Sequence, residues 1–171
     1  MFQIGDLVIY SGHGICRIHD IEDQTISGET RKYYVLYPLE DSYQLSIRVP
    51  VDNQKVQIYA LMTKKEAIEV LEAFKESGAE WIEKNHLRNL IYNEMVSSGN
   101  RKDMVKVIKS LMLKKIELEE NNAKLAAQDR KLLEQTANVL FKELAIALEM
   151  DYDEVVENVL HRVRENQQLL F

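Results

Sequence analysis

The stretch Phe2-Gln3-Ile4-Gly5-Asp6-Leu7-Val8-Ile9-Tyr10, followed by the turn Ser11-Gly12-His13-Gly14 and closed by Ile47-Arg48-Val49-Pro50-Val51-Asp52-Asn53, decides the fold. Short apolar alternations punctuated by Gly, Pro and Asn predict about five short strands curled into a small barrel. The expected strands are Gln3 to Tyr10, Ile15 to Ile21, a third from Arg31 to Pro38, Tyr43 to Val49, and Lys55 to Tyr59. The third carries Tyr33-Tyr34-Val35-Leu36-Tyr37, rich in aromatic and β-branched residues, and follows the turn Ile26-Ser27-Gly28-Glu29. In the fourth, Tyr43, Leu45, Ile47 and Val49 alternate with Gln44, Ser46 and Arg48, which places Arg48 on the face opposite the apolar set.

From Met62 onward the period changes from strand to helix, which predicts two domains, 1–59 all-β and 60–171 an all-α bundle of about five helices. Thr63-Lys64-Lys65-Glu66 has the spacing of a capping box, with Ala67, Ile68, Leu71 and Phe74 as the inward stripe up to Ser77-Gly78. A second helix is expected over Glu80 to Val96, and Asn100 caps a third reaching Leu118. The fourth follows Asn121-Asn122, ends near Met150, and places Leu125, Leu132, Leu133, Leu140, Leu144 and Leu148 in the core. Asp151 to Glu154 open a fifth carrying Val155, Val159 and Leu160, and the tail Asn166 to Phe171 is expected to fray.

The composition narrows the function. The 171 residues carry a formal charge of −6, no apolar run reaches a membrane-spanning length, and the N-terminus enters a strand pattern with no secretory leader. A soluble, cytoplasmic protein is expected. A single cysteine, Cys16, fits a reducing compartment. No Gly-rich phosphate loop, nucleophile elbow or zinc-binding histidine pair is present, and His13 lacks an orienting partner, so the chain reads as a binder and not an enzyme. His19, His86 and His161 are too scattered for a metal site, and no cofactor or small-molecule substrate is implied.

The acidic average conceals a basic centre. Residues 84–115 hold Lys84, Arg88, Arg101, Lys102, Lys106, Lys109, Lys114 and Lys115 against Glu94 and Asp103, a local charge of +6. On a helix, Trp81, Lys84 and Arg88 would fall within about 60° of one another, and Lys102, Lys106 and Lys109 would form a second stripe. Two such stripes can neutralise phosphates while the indole wedges against an unstacked base step. Equally, Trp81 can be a buried helix anchor and the lysines a solvated face.

Taken with Ile4-Gly5-Asp6-Leu7-Val8-Ile9-Tyr10, His13-Gly14, the strand Tyr33 to Leu36, Ile47-Arg48-Val49-Pro50, and Trp81 ahead of Ser98-Gly99-Asn100, the chain resembles the CarD family of bacterial transcription regulators. The N-terminal module of that family is similar to the polymerase-binding domain of transcription-repair coupling factor. The resemblance implies a Tudor-like/SH3-like barrel that docks on the RNA polymerase β subunit through Gln24, Thr25, Ile26 and Arg48. It also implies a helical domain that contacts promoter DNA weakly, in the minor groove and largely without sequence preference, at the upstream edge of the melted region. Trp81 would be the wedge, with Lys84, Arg88, Arg101, Lys102, Lys106 and Lys109 on DNA, and the outcome would be control of open-complex stability. The alternative is a protein-only adaptor that binds polymerase or another partner and makes no DNA contact. Gln24 stands where the family usually has a basic residue, and Ile82-Glu83 separate Trp81 from Lys84, which bear on the strength of the polymerase and DNA contacts.

Overall fold

The computed structural model describes residues 1–41, 44–53 and 58–168, with side chains through residue 165. The chain divides into two compact units, Met1–Leu61 and Met62–Phe171. The first is a five-stranded antiparallel sheet of β1 (Leu7–Tyr10), β2 (Gly14–Ile26), β3 (Glu29–Pro38), β4 (Ile47–Pro50) and β5 (Ile58–Ala60), in the order β4-β3-β2-β1-β5. Its core is Val8, Cys16, Ile18, Tyr34, Leu36 and Val49. Burial pushes the Cys16 thiol up to about 11, in keeping with a small apolar filler and not a reactive group.

Local chemistry explains where strands begin and end. β1 starts at Leu7 and not Gln3, because the Gln3 N–H donates to Asp6 Oδ2 at 2.8 Å and closes a turn through Gly5, which sits at φ +94°. β2 runs five residues beyond Ile21, pairing with β3 out to Ile26↔Glu29. The hairpin between them places Ser27 at φ +53° and Gly28 at φ +85°, the two positive values that match the twist of the flanking strands. β4 is shorter than the Tyr43 to Val49 run, because Gln44 takes φ +54° and the Leu45 N–H donates to Asp41 Oδ2. Tyr43 and the start of the expected fifth strand at Lys55 lie outside the described residues.

The second unit contains α1 (Lys64–Ala73), α2 (Asn85–Ser97), α3 (Arg101–Glu120), α4 (Ala127–Leu148) and α5 (Tyr152–Gln168). The capping box at Thr63 and Glu66 is complete in both directions. Ile68 is not part of the inner stripe of α1: it is 50% exposed, and Val70 takes the place beside Ala67, Leu71 and Phe74. Leu132, Leu133, Leu140 and Leu144 are buried as expected, with Val105, Ile108 and Leu111 of α3 in the same core; Leu125 is buried ahead of the helix and not on it, and Leu148 in its last turn is only partly buried. α4 ends on Glu149 in the left-handed region at φ +53°. Among the described residues no helix is long and apolar enough to cross a membrane.

Candidate functional site

Trp81 does not lie on a helix. The helix expected from Glu80 begins at Asn85, with Lys84 in the capping position, so Trp81 stands in the connection between α1 and α2. That connection lies directly on α3. The Ala79 N–H donates to the Lys106 carbonyl at 3.0 Å, and a Cβ on Gly78 would meet Ser110 Oγ at 2.5 Å and the Ser110 and Lys106 backbone at 3.2 and 3.3 Å. Glycine lets the connection pass this close to α3, where any Cβ would crowd Ser110.

Burial of backbone in this connection leaves carbonyls that need donors, and side chains from below supply them. Lys109 Nζ donates to the carbonyls of Phe74 at 2.8 Å and Glu76 at 2.5 Å. Ser110 Oγ donates to Ala79 O at 2.5 Å, and the Tyr92 hydroxyl to Glu80 O at 2.8 Å. Arg88 Nη1 donates to Ile82 O at 2.6 Å. Arg88 also forms a fork with Asp129, Nε to Oδ1 at 3.1 Å and Nη2 to Oδ2 at 2.5 Å, and bonds Asn85 Oδ1 at 2.7 Å. Its Cζ lies 4.1 Å from the centroid of the Trp81 ring.

This geometry corrects part of the expected phosphate-facing set. Arg88 is 2% exposed and Lys109 3%, so neither presents its charge to a ligand at the surface. Burial lowers the Lys109 pKa, since the charged amine loses water and the nearby Glu76 carboxylate offsets that loss only in part. The expected helical stripe fails at Lys109 because the Phe74 to Glu80 segment covers that side of α3. Arg101 is mostly buried as well, its Nη2 meeting Glu143 Oε1 at 2.5 Å, where the same oxygen accepts the Met62 N–H at 2.7 Å.

What remains outward is a smaller set. Trp81 is half-buried against the helical core, and Lys84, Lys102 and Lys106 are exposed with no ion-pair partner among the described residues. Lys114, absent from the expected set, belongs here: its Nζ is 5.2 Å from the Trp81 ring centroid, and it also reaches Glu117 at 3.2 Å. The sequence offered only its membership of the basic centre as a signal.

In the sheet unit, Gln24, Thr25 and Ile26 form the end of β2, and Arg48 lies on the same face as Gln24, both reaching Glu22. Gln24 Nε2 and Arg48 Nε both donate to Glu22 Oε1 at 2.7 Å, and Arg48 Nη1 reaches Ser46 Oγ at 3.3 Å. The Arg48 guanidinium, followed by the Gln24 amide, holds the Glu22 carboxyl below the usual carboxylate range. Thr25 and Thr30 share a hydroxyl bond of 2.8 Å, and Ile26 is 56% exposed at the hairpin tip. β4 bonds β3 on one side, and its other edge has no strand partner among the described residues. His13 stacks on Tyr10 with ring centroids 5.3 Å apart, while its N–H donates to the Tyr10 carbonyl. Among the described residues no group of three or more His, Cys, Asp or Glu could hold a metal ion.

Residues 2–62 match the family model described as the CarD-like/TRCF RID domain, and residues 69–168 match the model described as the CarD C-terminal domain.

Proposed function

The chain belongs to the CarD family and carries the RNA polymerase-interacting kind of domain found in transcription-associated regulatory, non-enzymatic proteins, and on that basis we propose that it docks on the polymerase β subunit while its helical unit touches promoter DNA at the upstream edge of the melted region. The observation that carries the DNA half is Trp81. An indole on a connection tied at five carbonyls, three residues from the exposed Lys84 and 5.2 Å from the Lys114 ammonium, suits a wedge at a bent or unstacked base step with phosphates on either side. Pausing the collapse of the melted segment against such a wedge lengthens the life of the open complex. Polymerase docking draws on the edge of β4 away from β3, which has no strand partner among the described residues, by strand addition, and on Arg48, Gln24, Thr25 and Ile26 around the β2 end.

Binding of the protein to forked promoter DNA, measured against salt, tests this reading together with co-purification on polymerase. Weak binding that falls steeply with salt and improves on melted DNA supports it. Polymerase binding with no DNA binding at any salt overturns the DNA half and favours the protein-only adaptor.

A further inference from the structure

We infer that the buried Arg88–Asp129 pair is a positioning device for Trp81, which fixes the indole in its presented orientation before any partner arrives; the inference rests on the reading of Trp81 as the DNA-contacting residue. Its basis is a division of labour within one guanidinium. Two nitrogens are spent on Asp129 in a fork, which fixes the plane of the group. A third grips the Ile82 carbonyl, the first backbone acceptor beyond Trp81, and the guanidinium carbon lies over the indole, 4.1 Å from the ring centroid. The position of the ring is thereby set on its backbone side and on one face by the same rigid group.

Asp129 is itself well supplied. It sits in the first turn of α4, where the helix N-terminus favours a carboxylate, and it is 1% exposed. A fully buried ion pair is weak support for a fold, since apolar residues of similar volume serve as well or better. Its aim at a loop carrying the chain's only tryptophan is what calls for explanation, and orientation of that loop supplies one. Lys109, Ser110 and Tyr92 extend the same arrangement along Phe74 to Glu80. Preorganisation of this kind removes the cost of ordering the wedge on binding.

Because Trp81 is the only tryptophan, its fluorescence reports the loop directly in the full-length free protein. The paired variant Arg88→Met with Asp129→Leu avoids stranding either charge in the core. It is expected to keep the far-UV spectrum and a single cooperative urea transition of the helical unit while increasing the fast local depolarisation of Trp81 in time-resolved anisotropy. A second variant, Arg88→Lys, keeps a positive charge opposite Asp129 but cannot form the fork and grip the Ile82 carbonyl at once; it is expected to raise the same local motion to a smaller extent. If the presenting orientation falls to about a tenth of the population, apparent affinity for forked DNA falls about tenfold. The salt slope stays at the wild-type value, since Arg88 makes no phosphate contact. Unchanged depolarisation in a folded paired variant, or in Arg88→Lys should the first not fold, overturns the positioning role. A reduced salt slope overturns it too, because Arg88 would then be a phosphate ligand. Increased depolarisation with DNA affinity insensitive to both the paired variant and Trp81→Ala supports the positioning device and refutes the wedge reading instead.

Discussion

Replacement of Lys102 and Lys106 by alanine separates the surface cations from the buried ones. Both lysines are exposed on the first two turns of α3 and have no ion-pair partner among the described residues, so each can release a condensed counterion from DNA. Two lost phosphate contacts lower the magnitude of the slope of log affinity against log salt by about 1.8 on duplex DNA. Over a fourfold rise in salt, the variant should then lose about tenfold less affinity than the wild type does. Fluorescence anisotropy of labelled forked promoter DNA, titrated with protein at several salt concentrations, measures this slope. The change should be the same for unrelated DNA sequences, because phosphates carry no base information. A double variant with the parental slope would refute the assignment and leave these lysines as a solvated helix face.

Lys109→Met should cost about 2 kcal/mol of stability by leaving the Phe74 and Glu76 carbonyls without their donor, and should leave the salt slope unchanged; urea unfolding and the DNA titration check the two halves. Because burial depresses the Lys109 pKa, the native state sheds that proton at lower pH than the unfolded chain does. Stability from this group therefore rises as pH climbs through the folded pKa toward the ordinary lysine range, and the gap in urea midpoint between wild type and Lys109→Met should widen in that direction. Gly78→Ala should destabilise the helical unit by about 1 to 3 kcal/mol in thermal unfolding, since the new Cβ collides with Ser110 and with the Lys106 backbone. Arg48→Gln should weaken polymerase binding by about 2 kcal/mol in a calorimetric titration and, in an NMR titration, move Glu22 back up toward the usual carboxylate range.

The elements legible in the sequence were those whose signal is local. A capping box needs only Thr63 and Glu66 three residues apart, and the Ser27-Gly28 turn needs only two residues that tolerate positive φ. The leucines of α4 declared their burial by period alone, and the combined N-terminal motif and Trp81 pointed to the family. Trp81 was misplaced onto a helix because residues 80–84 contain no breaker. The connection instead passes close to α3 where Gly78 meets Lys106 and Ser110, a contact between distant segments. Arg88 and Lys109 read as surface cations because such residues are seldom fully buried unless paired, and their acceptors lie far along the chain: Asp129 is 41 residues from Arg88, and Phe74 is 35 from Lys109. The same cause hid the tie between Arg101 and Glu143, 42 residues apart. Charge composition singled out the candidate region, and tertiary packing decided which of its cations face outward.

The lifetime of promoter open complexes with saturating Trp81→Ala, set beside wild type and no added protein, tests the central claim most directly. Polymerase affinity and thermal unfolding are followed on the same preparation. The wedge account predicts a folded variant that docks on polymerase as tightly as wild type while the complexes decay nearly as fast as with no protein. A folded, docked Trp81→Ala variant that sustains the wild-type lifetime would contradict it.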